Sequence, residues 1–246
     1  MKGRACVLVT AIFLLLSNLE ANPGPPQTPS RENTVTAGEV VAKYLEAIGG
    51  IGPLKAINTK RIRYRVFMFS RGGYLMERSW TRPYNMKTGL PGDAAYTLTE
   101  GDRSWRIGTD ERRELPTSLA ANLAKLADID GPLVDSTAKG ISLSYLGTVH
   151  YDMTDLYRIQ LTFKDGVQWE FFFDSSAGLL RKVQRPSFQM VNNEISRGPD
   201  TYHYYYDYRP VDGIMIPHLW LQISENHTHA FVVEEVELNK RPDHID

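Results

Sequence analysis

The chain has 246 residues, with 28 Lys and Arg against 29 Asp and Glu, for a formal net charge of −1. That balance gives no electrostatic basis for nucleic-acid binding. The length supplies one sizeable domain or two small ones, and the single cysteine, Cys6, excludes a disulfide framework.

Lys2 and Arg4 give a positive start, and an almost unbroken apolar run from Cys6 to Leu16 follows. The run is shorter than the ~20 residues that a membrane-crossing helix needs. Small and polar residues then lead to Ala21. This layout predicts a signal peptide over residues 1–21, cleaved near Ala21, and places the mature chain in the periplasm. Cys6 lies inside the apolar run, too early to be a lipidated cysteine at the cleavage point. Its removal leaves no thiol for a zinc site or a nucleophile. Residues 22–35, with Pro23, Pro25, Pro26 and Pro29, read as a flexible tether.

A single domain is expected over residues 36–246. Thr36 and Glu39 form a capping box, and Val40, Val41, Tyr44, Leu45 and Ile48 make one apolar helix face that Gly49 and Gly50 terminate. From Arg61 the period changes to two: Ile62, Tyr64, Val66 and Met68 alternate with Arg61, Arg63, Arg65 and Phe67. Arg71-Gly72-Gly73 is read as the turn into a partner strand over 74–82. Short strands follow at 86–88, 94–100 and 103–108, then a helix over 117–128 with Leu119, Leu123 and Leu126 on one side. The remainder reads as strands at 141–151, 155–163, 168–174, 179–184, 201–209, 215–224 and 230–238, separated by turn signals such as Lys164-Asp165-Gly166 and Val211-Asp212-Gly213. The fold class is therefore α+β, mainly β: a strongly curved antiparallel sheet, an open or half β-barrel, with a helical lid.

Three segments carry a resemblance. They are the opening helix with its Gly49-Gly50 end and Leu54-Lys55-Ala56-Ile57; Phe171-Phe172-Phe173-Asp174 with Gly178-Leu179-Leu180-Arg181; and Asp207-Tyr208-Arg209-Pro210-Val211-Asp212-Gly213-Ile214-Met215-Ile216-Pro217. In this order and spacing the chain resembles the LolA-like exported proteins related to the outer-membrane lipoprotein-sorting chaperones. The resemblance implies a half-open β-barrel with a helical lid around an apolar cavity. It also implies a carrier for lipid or lipoprotein acyl chains, with no metal, no cofactor and no catalysis. Inner- and outer-membrane envelope proteins are then the expected partners, and a monomer is the expected state.

The residues themselves leave two readings open. Trp169, Phe171 and Phe173 share a strand face, as do Tyr157, Ile159, Leu161 and Phe163 on the neighbouring strand and Tyr202, Tyr204, Tyr206 and Tyr208 on another. These side chains either fill a solid core or line a cavity for an apolar ligand. On the second reading Tyr157, Ile159, Leu161, Trp169, Phe171 and Phe173 face the lid residues Leu119 and Leu123 across a void. A solid core would instead suit an envelope interaction module that binds protein through a sheet edge or its Tyr-rich strand. No Gly-x-Ser-x-Gly, His-Glu-x-x-His or phosphate-binding glycine loop occurs. His227 and His229 share a strand face without further ligands in sequence, and Glu234 and Glu235 are expected on opposite faces of their strand.

Overall fold

The computed structural model describes residues 35–240, apart from 69–70, 192–193 and 226. The expected signal peptide and most of the tether lie outside the described residues. The elements are α1 (Ala37–Ala47), α2 (Ile51–Lys55), β1 (Thr59–Met68), β2 (Arg71–Thr81), β3 (Asn85–Gly89), β4 (Tyr96–Glu100), β5 (Arg103–Ile107), β6 (Arg112–Glu114), α3 (Thr117–Ala127), β7 (Ser142–Tyr151), β8 (Thr154–Thr162), β9 (Gln168–Asp174), β10 (Leu180–Val191), β11 (Glu194–Val211), β12 (Ile214–Ile223) and β13 (Thr228–Leu238). Thirteen strands form one sheet in the order β6-β5-β4-β3-β2-β1-β13-β12-β11-β10-β9-β8-β7. The sheet is two antiparallel meanders, β1–β6 and β7–β13, joined where β1 pairs with β13. It is not closed, since β6 and β7 remain as edges. Open antiparallel curvature with helices on one face is the α+β architecture expected from the strand periodicity.

The seam between the meanders carries a charge ladder on its outer face. Arg61 pairs with Glu237, Arg63 with Glu77 at 2.8 Å and Glu235 at 3.0 Å, and Arg65 with Glu234 at 2.7 Å. Glu234 and Glu235 therefore meet arginines of the same face, against the expectation. A register shift at Arg63/Tyr64 is the cause: Arg63 pairs with Glu235 but Tyr64 with Val233, so one extra residue turns both carboxylates outward.

Two further expectations change. Arg71, Gly72 and Gly73 belong to β2, because Met68 already pairs with Arg71. Strand β11 begins at Glu194, well before residue 201, and forms a long hairpin with β10.

The three segments that carry the family resemblance meet in space at the seat of α1. Thr36 Oγ1 accepts from the Glu39 backbone N–H at 3.2 Å while Glu39 Oε2 accepts from the Thr36 N–H at 2.8 Å, fixing the helix start. At its end Gly49 adopts φ +117°, and a Cβ there would lie 2.5 Å from the Gly213 carbonyl oxygen. The Met215 N–H donates to the Ile48 carbonyl at 3.0 Å, pinning the helix end to the β11–β12 turn. The β9–β10 turn closes the other side: Lys43 Nζ donates to the Ser175 carbonyl at 2.7 Å, and a Cβ on Gly178 would stand 3.2 Å from the Lys43 carbonyl. Tyr44 packs against Phe173 with ring centroids 5.1 Å apart. Helix–Gly–Gly, Phe-Phe-Asp and Asp-Gly turn are thus one docking joint.

Candidate functional site

The helices and the segment 128–134 cover the concave side of the sheet. A cavity of about 390 Å³ remains beneath them, within the ~300–1,000 Å³ range of small-molecule sites. Its roof is Tyr44 and Leu45 of α1 with Ile48 at the helix C-cap, Leu54 of α2, Leu126 of α3, and Ile129 and Leu133. Its floor is Trp169 and Phe171 of β9, Leu180 and Val183 of β10, and Ile214 and Ile216 of β12. The roof is clamped in place. Arg82 donates to both Asp130 carboxylate oxygens, at 2.7 and 2.6 Å, and to the carbonyls of Ile57 at 2.6 Å, Lys55 at 3.0 Å and Leu54 at 3.3 Å. Trp80 Nε1 donates to the Leu126 carbonyl at 2.9 Å.

Of the residues expected at the cavity, Trp169 and Phe171 stand at its wall. Ile159, Leu161 and Phe173 are fully buried in packed core behind it, and Tyr157 is half-buried against that core. Leu119 and Leu123 line a second cleft of about 430 Å³, with Met86, Thr88 and Leu115. The reason is that α3 lies over β3–β5, while Tyr44 of α1 packs on Phe173 of β9 and lines the void with residues 128–133, Trp169 and Phe171. The void that Trp169 and Phe171 border is faced by those segments, not by Leu119 and Leu123.

The Tyr-rich strand also divides. Tyr202 and Tyr204 lie outside, where Lys182 Nζ sits 4.8 and 5.7 Å from their rings and Tyr151 stacks on Tyr204 at 6.0 Å. Burial and the neighbouring tyrosines push the Tyr204 hydroxyl up to about 12. Tyr208 turns inward instead, and its hydroxyl donates to the Leu180 carbonyl at 2.7 Å. Asp207, with φ +51°, breaks the alternation between Tyr206 and Tyr208. The cavity face of β11 is His203 and Tyr205, the opposite parity from the tyrosines that stand out in the sequence.

One end of the cavity is cationic. Arg185 of β10 sits 5.4 Å from the centre of the Trp169 ring and donates from Nε to His203 Nε2 at 3.0 Å. An arginine only donates, so His203 Nε2 is the unprotonated nitrogen of a neutral ring. Burial, then the fields of Arg185 and Arg78, hold the His203 imidazolium well below its ordinary range. Arg78 of β2 reaches the same chamber and donates to Thr88 Oγ1 at 3.2 Å. Lys60 lies 4.3 Å from the Trp80 ring centre, and burial followed by Arg78 pushes its ammonium down to about 8, against the opposing pull of Asp128 and Asp130. Those two carboxylates are themselves engaged, Asp128 by Lys139 at 2.5 Å and Asp130 by Arg82. The sequence holds a signal for this cluster that the search for apolar faces passes over. Lys60 precedes Ile62 and Tyr64 at inward parity, and Arg78 lies between Met76 and Trp80, each a cation in an otherwise apolar row; Arg185 follows inward-facing Val183.

No family model matches the chain, and no curated protein matches it. Solved structures do. A LolA superfamily protein of Nitrosomonas europaea superposes with a TM-score of 0.56 at 16% identity, over 85% of this chain and 96% of that one. The chain has a LolA-like fold. A putative outer membrane lipoprotein-sorting protein domain of Vibrio parahaemolyticus gives 0.55 at 9% identity, over 85% and 94% of the two chains. A DUF1329 family protein of Desulfovibrio piger gives 0.53 at 8% identity, over 82% and 93%. Here the covering of helices over an open sheet creates the roofed cavity.

Proposed function

We propose that this chain is an exported periplasmic carrier that holds the acyl chains of a lipid or lipoprotein in the cavity between α1, residues 128–134 and the sheet. The observation that supports this is the 390 Å³ void itself, walled mainly by apolar side chains from every covering element. Apolar burial contributes about 0.8 kcal/mol per methylene, so a chain of a dozen carbons gains roughly 10 kcal/mol before ordering costs. Such a ligand needs no chemistry from the protein, only a dry wall and a roof that can part. The sorting role in the description of the Vibrio parahaemolyticus structure fits the same reading. Loading and release would come from envelope proteins at the inner and outer membranes. Export rests on the n-region charge and the short apolar run, so N-terminal sequencing of the secreted protein should begin near Asn22; an intact Met1 would overturn this part.

The test of the carrier reading is native mass spectrometry of protein expressed with its leader, followed by organic extraction. A co-purifying amphiphile that extraction removes supports the reading. A clean apoprotein mass, unchanged after incubation with lipid, would favour an interaction module instead.

A further inference from the structure

The cavity has a polar end that acyl chains do not use. Arg185 and Arg78 enter it from strands with four others between them in the sheet, and they meet because the sheet curls. Among the described residues neither guanidinium has a carboxylate partner. Arg185 and Arg78 are each half-buried and both line the cavity. The indole N–H of Trp169, a residue only 4% exposed at the same wall, has no acceptor among the described residues. A cation partly withdrawn from water without a counter-charge is disfavoured, and a buried N–H without an acceptor adds to that cost. The carboxylates on the cavity wall, Asp128 and Asp130, are committed to Lys139 and Arg82.

We infer that the cavity takes an amphiphile with an anionic head, a phosphate or a carboxylate, seated between Arg185 and Arg78 with its chain along Phe171, Val183 and Ile214. This rests on the carrier reading and adds the ligand's head chemistry to it. Guanidinium groups suit both oxyanions because their parallel N–H donors match two oxygens at once. Arg185 spends its Nε on His203, which leaves its terminal nitrogens for the head, and Arg78 lines the same chamber close enough for its charge to act on Arg185. Neutral His203 acts as a positioning residue, holding the Arg185 fork through a lone pair without adding charge.

The experiment is titration calorimetry on delipidated full-length mature protein with three probes of one chain length, dodecyl phosphate, laurate and dodecanol, and with inorganic phosphate as a fourth. Dodecyl phosphate and laurate should bind about tenfold or more tighter than dodecanol, the scale of charge-assisted hydrogen bonds. In Arg185→Gln that preference, read as the ratio of the dodecyl phosphate and dodecanol affinities, should collapse, and Arg185→Lys should restore part of it. Equal affinity for all three chains in the wild-type protein would overturn the inference yet leave the carrier reading standing. Failure of all three chains to bind would overturn both. Inorganic phosphate binding as tightly as dodecyl phosphate would assign the arginines to a free anion and overturn the amphiphile. The wild-type comparison decides these outcomes even if a variant fails to fold.

Discussion

Replacing Gly49 by alanine tests whether the α1 joint holds the cavity roof. The new methyl would sit 2.5 Å from the Gly213 carbonyl oxygen, 3.2 Å from Ile214 Cδ1 and 3.4 Å from Ile214 Cα. The first contact is with backbone and cannot be relieved by turning a side chain. Gly49 also holds φ +117°, a conformation that costs an L-residue about 1–3 kcal/mol. Any retreat of the helix end stretches the 3.0 Å bond from Met215 N–H to the Ile48 carbonyl, which contributes roughly 1 kcal/mol. The total is about 2–4 kcal/mol, a fall in Tm on the order of 10 °C for a domain of this size. Thermal unfolding by circular dichroism measures it, with Gly38→Ala as control, because a Cβ there meets nothing within 4 Å. The control should melt level with or above the wild-type protein. Gly49→Ala melting within about 2 °C of wild type, a margin of about 1 kcal/mol or less, would refute the joint. Ile48, Leu45 and Tyr44 line the roof, so the same variant should also bind its lipid less tightly.

Phe171 is stacked between Trp169 at 6.4 Å and Phe173 at 6.2 Å. Phe171→Glu should lower stability by about 3–5 kcal/mol through loss of the ring and abolish lipid capture, read by dichroism and mass spectrometry; unchanged lipid content would count against the cavity as the site. Arg82→Ala should cost about 2–4 kcal/mol, because it leaves Asp130 without its cation and the carbonyls of Lys55 and Ile57 without the Arg82 donor. The Arg82→Ala/Asp130→Ala double variant should be less than additive, and full additivity in denaturant unfolding would dismiss the clamp. Lys60 is lowered to about 8 from 10.5, so between those values the unfolded chain binds more proton than the folded one. Stability relative to Lys60→Met should therefore rise as pH increases from about 8 to 10.5, and parallel profiles for the two proteins would refute the buried ammonium.

Much of this molecule is local in origin and legible in the sequence. The Thr36–Glu39 cap, the strand alternation and the glycine turns follow from bonds and sterics within a few residues. So does the mainly β class with helices apart from the strands. The site is only half legible. Trp169 and Phe171 stand out because aromatic residues on one strand face must bury somewhere, but which rings fill core and which border a void depends on what covers them. Ile159, Leu161 and Phe173 are sealed by neighbouring elements, and Leu119 and Leu123 are carried to another cleft with α3. The bulge opposite Arg63 and the φ +51° of Asp207 each shift a strand face by one residue, which no period-two pattern anticipates.

The sequence by itself determined most of the strands and most of their turns, because each depends on residues a few positions apart. Only the tertiary structure decided that Arg78 and Arg185 share one chamber. They are more than a hundred residues apart in sequence, and four strands stand between theirs in the sheet. Their meeting depends on the accumulated twist and curl of those strands, a sum of pairings that no local window contains. The same curl makes the cavity, since a flatter sheet would leave the helices resting on solid core.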